Sequence, residues 1–406
     1  MSTEAVAVTG MGMVTAAGHD TPTTWDRIRD GLPTASYDPR LEGLPVTFSC
    51  RAETFRPEQV LGRGYTWRTD RFIQLALAAA REAAAHAGLE KGTVDPTRLG
   101  VIIGANGGGS ASGAALKKLN DNRPQGISPA TVPSGSANMA AGEVSIDLGA
   151  QGPSFCVSTA CASGASAMSL ARDLLRSGTC DVVVAGGSDS ICSPLATASL
   201  DKMRALSRRN HAPQEASRPF DADRDGFVLA EGAAVLVLER GEHARARRAA
   251  VHAYLAGSAL GCDAHHPTAP TPDGSGSART IRAALASAGM RAGDIDHVNT
   301  HGSSTELNDL SEARALRTVF GSPPPVTANK SVLGHAIAGA GAIEAALTVL
   351  TLQHQQIPPT ANLDRLDDRI DLDVVTKAAR PHRMSAALST SFGFGGQNAA
   401  LIFTSA

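Results

Sequence analysis

Aromatic residues are scarce in this chain of 406: Phe, Tyr and Trp together make up 4%, with only two Trp and three Tyr. A core without many large rings must be filled by small and branched aliphatics, and 41 Gly among abundant Ala suit closely packed helices, tight turns and backbone that approaches a ligand. An excess of one charge is also missing. The formal net charge of −2 comes from 37 basic and 39 acidic residues, so no global field draws the molecule to nucleic acid or to an anionic membrane. Any basic docking patch has to be local. No uncharged stretch reads as a lipid-spanning run, and the opening MSTEAVAVTG has neither a basic nor an apolar leader region, so a cytoplasmic protein is expected. Cys-x-x-Cys is absent. The six cysteines (Cys50, Cys156, Cys161, Cys180, Cys192, Cys262) are scattered, which argues against a zinc knuckle or a redox pair and leads us to expect thiols.

What is present is alternation. Near-continuous apolar runs at 5–10 (AVAVTG), 99–105 (LGVIIGA), 180–187 (CDVVVAGG) and 233–239 (AAVLVLE) are separated by helical stretches at 71–87, 162–176 and 240–249. Strands buried on both faces and spaced by helices specify an α/β fold. After residue 250 the pattern restarts. Residues 77–104 and 280–302 each read as an Ala-rich helix closed by glycine (Gly88, Gly289), a polar loop containing Asp, and a strand that ends in glycine. Two duplicated halves, 1–250 and 251–406, are therefore expected. The Pro-rich 265–274 reads as a surface loop of the second half.

Three positions carry chemistry. Cys161 in VSTACASGASAM stands between a short strand-like run and a helix start, where unpaired backbone N–H groups and the positive end of the dipole favour a thiolate and can hold an oxyanion. Its neighbours Ala160, Ala162, Ser163 and Gly164 leave room for a substrate. Read alone, it is either this or an inert buried thiol. His301 (VNTHGSSTELND) and His335 (NKSVLGHAIAGAG) both sit where strand gives way to a small-residue turn, whereas His86, His243 and His354 read as ordinary surface residues. A cysteine and two histidines at matching turns form a plausible set for nucleophilic catalysis. Near the end, Phe392, Gly393, Phe394, Gly395 and Gly396 alternate rings with permissive backbone, which fits either a plain hairpin turn or a loop that brings an N–H to a ligand.

Taken in order and spacing, TACASG, SRPFDADRDGFVLAEGAAVLVLE, THGSSTELND, NKSVLGHAIAGAGAIEA and SFGFGGQN make the chain resemble the β-ketoacyl-[acyl-carrier-protein] synthases, the condensing enzymes of type II fatty acid and polyketide synthesis. The resemblance runs from VAVTGMGMVTAAG to the final strand. It implies a thiolase-like fold, two similar halves in a five-layered αβαβα core, usually dimeric. Cys161 then takes the acyl group as a thioester; the N–H groups of Cys161 and Phe394 form the oxyanion hole; His301 and His335 hold the malonyl thioester carbonyl as CO2 leaves. Lys330 matches the family's active-site lysine and Glu312 its carboxylate partner, a pair with a positioning role. Phe394 also gates the acyl pocket with Phe392 beside it, Asp263 and Thr268 lie by that gate, and Ser303 and Thr305 face the pantetheine arm. No metal or organic cofactor is implied; the 4'-phosphopantetheine arrives on an acyl carrier protein. The dimer mate is either a second copy or a chain-length-factor-like subunit.

Departures from the family pattern bear on substrate. Gly107 stands where a bulky aliphatic residue often narrows the acyl pocket, and Ala130 and Thr131 replace a pair of aromatics, one of which reaches that pocket across the dimer. An enlarged pocket for a polyenyl or aryl-bearing chain is expected. Gln125 and Gly126 replace a basic pair at the carrier-docking surface, leaving Arg68, Arg71, Lys117 and Lys118, and above all the cluster Arg204, Arg208 and Arg209. A non-catalytic partner subunit would lack the cysteine, and a thiolase would carry a second one where GFGGQN lies. An acyltransferase passing the acyl group to an alcohol or amine is less favoured by the two-histidine set. Ordinary fatty acid elongation stays open.

Overall fold

The computed structural model describes residues 5–406 apart from 91 and 109. Ten strands form one sheet: β1 (Val6–Thr15), β2 (Leu99–Gly104), β3 (Ser154–Val157), β4 (Val182–Ser190), β5 (Glu231–Arg240), β6 (Ala253–Cys262), β7 (His297–Asn299), β8 (Val326–Thr327), β9 (Ala386–Gly393) and β10 (Gln397–Ser405). Their order is β8-β7-β9-β10-β6-β1-β5-β4-β2-β3. The first five and last five strands repeat one topology. In each half the first strand runs antiparallel to the fifth, the fifth antiparallel to the fourth, and the fourth, second and third run parallel. Within the sheet the halves join where β1 meets β6, through Ala7 with Tyr254 and Val8 with Ala253.

Six helices follow the same duplication: α1 (Arg71–His86), α2 (Met139–Leu148) and α3 (Ser163–Arg176) in the first half, α4 (Ser275–Ala288), α5 (Glu306–Phe320) and α6 (Ala340–His354) in the second. Helix α1 covers the outer face of β1, β5 and β4, and α4 the outer face of β6 and β10. Between the two halves of the sheet lie α3 and α6, in contact with each other and with strands of both halves. This is the five-layered thiolase-like arrangement. Its composition follows from position: α6 is apolar almost all round and buried from Ala340 to Leu352, as a helix enclosed by sheet on both sides must be. The close approach of α3 to α6 passes through Gly164, where an added Cβ would lie 2.7 Å from the Ala342 amide nitrogen.

The expected strands and helices are present, with a short helix at Gly241–Ala246 inside 240–249 and no regular element in the Pro-rich loop. The six cysteines form no disulfide. Among the described residues no helix is long and apolar enough to cross a membrane.

Candidate active site

The nucleophile turn links β3 to α3. Ala160 adopts a left-handed backbone at φ +49°, a conformation that costs a non-glycine residue roughly 1–2 kcal/mol. Hydroxyl bonds brace it: the Thr159 amide donates to Ser163 Oγ (2.9 Å), and Ser163 Oγ donates to the Ala160 carbonyl (2.6 Å). The β9–β10 hairpin closes on this turn through Gly393, whose added Cβ would lie 2.6 Å from the Thr159 carbonyl and 2.9 Å from the Cys161 nitrogen. The backbone N–H groups of Phe394 and of Cys161 itself lie near enough to the Cys161 sulfur to favour its charged form.

Cys161 is buried, and burial pushes its thiol up to about 11 despite Lys330 and the two N–H donors pulling the other way. The helix start favours a thiolate, whereas burial at this position pulls the other way, toward the thiol.

His301 follows β7 and is pinned along its length. Its amide donates to Glu312 (2.8 Å) and Thr390 (3.1 Å), and its carbonyl accepts from Lys330 Nζ (2.6 Å). Lys330 Nζ also donates to His301 Nδ1 at 3.2 Å, which leaves the ring proton on Nε2. His335 is strapped to the segment after the SRPFDADRDGF motif, with its amide on the Val228 carbonyl and the Ala230 amide on its own carbonyl. The Ile337 amide donates to His335 Nδ1 at 3.2 Å, so this ring too carries its proton on Nε2. The two rings stand 5.2 Å apart at 80°, with Phe392 edge-on to His301 and Phe227 edge-on to His335. Burial first, then the Lys330 charge, holds both imidazoles well below their ordinary value, so both are neutral donors at physiological pH.

The Lys330–Glu312 pair is corrected by the geometry. Lys330 is ion-paired with Glu344 of α6, while both oxygens of Glu312 accept backbone N–H groups at His301 and Gly302 and Oε1 also takes the Thr390 hydroxyl. Glu312 is therefore committed to the His301 loop. Lys330 is buried against His301, with its Nζ on the ring Nδ1. Glu344, pushed up by burial to about 7, was not foreseen; its signal was a lone carboxylate in an apolar helical run.

One cavity of about 690 Å³ holds Cys161, His301, His335, Phe392 and Phe394, and its wall also includes Asp263, Thr268, Ser303 and Thr305. Asp263 is committed to the scaffold, accepting from Asn398 Nδ2 (2.6 Å) and the Thr271 amide (3.0 Å), and so ties the 265–274 loop to the Phe394 hairpin. Ser303 and Thr305 bond each other at 2.9 Å, and Thr305 caps α5. Arg224, on the same wall, ion-pairs with Asp309 and Asp367, which makes this arginine of SRPFDADRDGF a buried brace.

Gly107 and Thr131 stand outside this cavity. Gly107 has φ +93° and the Gly135 carbonyl 3.2 Å from a would-be Cβ, so the backbone there itself favours glycine. Thr131 and Ala130 line a separate cavity of about 200 Å³ beside Trp67 and Lys118. Among the expected docking cations, Arg68 pairs with Glu143, Arg71 with Glu231 and Arg208 with Asp201, while Arg204 lines the catalytic cavity. Two further wall residues, Asn106 and Ser158, carried no motif signature.

Comparison with known proteins agrees with this geometry. Residues 3–244 match the β-ketoacyl synthase N-terminal domain and 252–364 the β-ketoacyl synthase C-terminal domain. The chain is 38% identical to 3-oxoacyl-[acyl-carrier-protein] synthase 2 of Vibrio cholerae, over 99% of each chain, and 37% identical to that of Staphylococcus aureus, over 98% of this chain and 97% of the relative. Among solved structures it superposes on the ishigamide ketosynthase/chain length factor (TM-score 0.93, 33% identity) and on a β-ketoacyl synthase from Burkholderia phymatum (TM-score 0.94, 32% identity), each over 99% of both chains. It also superposes, over 99% of both chains, on AntDE from the complex of a type II polyketide acyl carrier protein with its hexaketide-bound ketosynthase (TM-score 0.91, 31% identity). With a cysteine under two N–H donors and two neutral imidazoles in one cavity, the chain belongs to the β-ketoacyl synthase family of acyltransferase-class condensing enzymes.

Proposed function

We propose that the chain joins an acyl group, carried on Cys161, to a malonyl unit on an acyl carrier protein by decarboxylative Claisen condensation. The Cys161 sulfur adds to the thioester carbonyl of the incoming acyl group, and the oxyanion rests on the N–H groups of Cys161 and Phe394. Collapse expels the pantetheine thiolate, which takes the thiol proton. In the second stage the malonyl C–CO2 bond breaks, and its electrons pass to an enolate whose oxygen accepts from His301 Nε2 and His335 Nε2. The enolate carbon attacks the Cys161 thioester, the C–S bond breaks, the Cys161 thiolate takes a proton from solvent to return to the thiol, and the β-ketoacyl product leaves on the carrier. The observation that carries this reading is the fixed Nε2–H tautomer of both rings in the cavity of the cysteine. Lys330 holds His301 in that tautomer, and the phosphopantetheine comes with the carrier.

The acyl chain is the finer part. A polyketide-type chain, polyenyl or aryl, is supported by the likeness to the ishigamide and hexaketide-bound ketosynthases, and with it a dimer mate that is a second copy or a chain-length-factor-like subunit. Ordinary fatty acid elongation is the second reading, favoured by the 37–38% identity to 3-oxoacyl-[acyl-carrier-protein] synthase 2 enzymes. Intact-protein mass spectrometry with a panel of acyl carrier proteins, followed by malonyl carrier, tests both. Cys161-dependent acylation and a ketoacyl product are expected, and the chains accepted separate the two readings. A protein that stays unacylated across the panel contradicts the condensing role.

A further inference from the structure

The catalytic cavity has a polar point that the condensation does not use. Asn106 follows β2 and Ser158 follows β3, and both are exposed to the cavity whose wall elsewhere includes Ile191, Leu200 and Ala160. Ser158 Oγ donates to Asn106 Oδ1 at 2.9 Å, and Asn106 Nδ2 donates to Asp189 at 3.1 Å. Asp189 is itself buried and accepts from the Ser190 amide (2.9 Å) and the Ala338 amide (3.2 Å). This network fixes the amide's orientation. Among the described residues it leaves one Nδ2 hydrogen and the lone pairs of Ser158 Oγ without a partner.

While the cavity holds water these groups are satisfied. Once an acyl chain fills it, a chain of methylenes strips that water and returns nothing, whereas a chain oxygen restores the bond. A site built this way discriminates chiefly by penalising the chain that lacks the oxygen. We infer that Asn106 and Ser158 are specificity-determining residues that recognise an oxygen function on the acyl chain loaded at Cys161. A hydroxyl fits both, accepting from Asn106 Nδ2 and donating to Ser158 Oγ; a keto oxygen fits the first. The inference rests on the condensing reading above.

The test uses the full chain and acyl-pantetheine thioesters of one length, saturated or bearing a single hydroxyl at each successive chain carbon, with kcat/KM for Cys161 acylation read by intact mass. At its best position the hydroxyl is expected to raise kcat/KM about tenfold over the saturated chain, the scale of one or two neutral hydrogen bonds. Asn106→Leu and Ser158→Ala should each bring that ratio toward one; the serine variant leaves all of Asp189's donors in place and guards against a folding defect. If every chain acylates Cys161 at one rate, or the preference survives in both variants, the inference is overturned and the condensing reading stands. If no chain acylates Cys161, the condensing reading falls and the inference with it.

Discussion

The two halves of this molecule run the same course of strand and helix and put different chemistry at equivalent turns. In the first half the β3–α3 turn presents Cys161, braced by neutral hydroxyl bonds at Thr159 and Ser163. In the second half the β8–α6 turn presents Lys330 and His335, tied to a buried carboxylate, Glu344. The ends of β2 and β7 likewise differ, one giving Asn106 and the other His301. One scaffold thus holds a cysteine in neutral hydroxyl braces, with the Lys330 charge reaching it from the other half, and holds two imidazoles where that buried cation sets the tautomer of its neighbour. Under the proposed function the thiol that takes the acyl group comes from the first half and the two imidazoles that serve loss of CO2 from the second, with the Phe394 N–H of the second half reaching over Cys161.

The largest effect that would break this comparison comes from Cys161→Ala. Acylation should fall at least about 10³-fold, read by mass spectrometry, because the nucleophile is gone. Next, His335→Ala removes one enolate donor, and condensation should drop about 10²- to 10⁴-fold in a product assay. Third, Gly164→Ala places a methyl against the Ala342 backbone at the seam of α3 and α6 and should destabilise the fold by roughly 1–3 kcal/mol in urea unfolding. The smallest effect is a change of slope with pH. Asp189, ordinarily near 3.8, is pushed by burial up to about 7, so between these values the folded chain binds the proton that the unfolded chain has lost. Its contribution to stability is present below about 3.8 and is lost as pH rises through 7. Asp189→Asn should flatten that decline in denaturation series. The two histidines, held well below 6.5, give a slope of the opposite sign as pH falls below that value, and the variant should leave it in place.

The strand–helix alternation and the duplication were legible because burial on both faces writes long apolar runs and because the second half repeats the first. Cys161, His301 and His335 were legible because each interrupts a run of small residues at a strand end. The partner of Lys330 was not. Glu312 lies in a recognisable motif and Glu344 in an apolar helix, and which carboxylate meets the lysine is decided by how α5 and α6 pack, a tertiary fact. The backbone demand at Gly107 was not legible for a related reason: its φ of +93° belongs to the turn and leaves no mark in the sequence beyond glycine itself. Asn106 and Asp189 stayed silent because their meaning arises only when β2, β4 and the turn after His335 come together.

The most direct test of the division between the halves is to follow acylation and CO2 release separately in Cys161→Ala and in a His301→Ala/His335→Ala double variant. Release of CO2 from malonyl carrier should persist in Cys161→Ala while acylation is lost, and the acyl-enzyme should accumulate in the histidine variant without ketoacyl product. Loss of both steps in either folded variant would contradict the account.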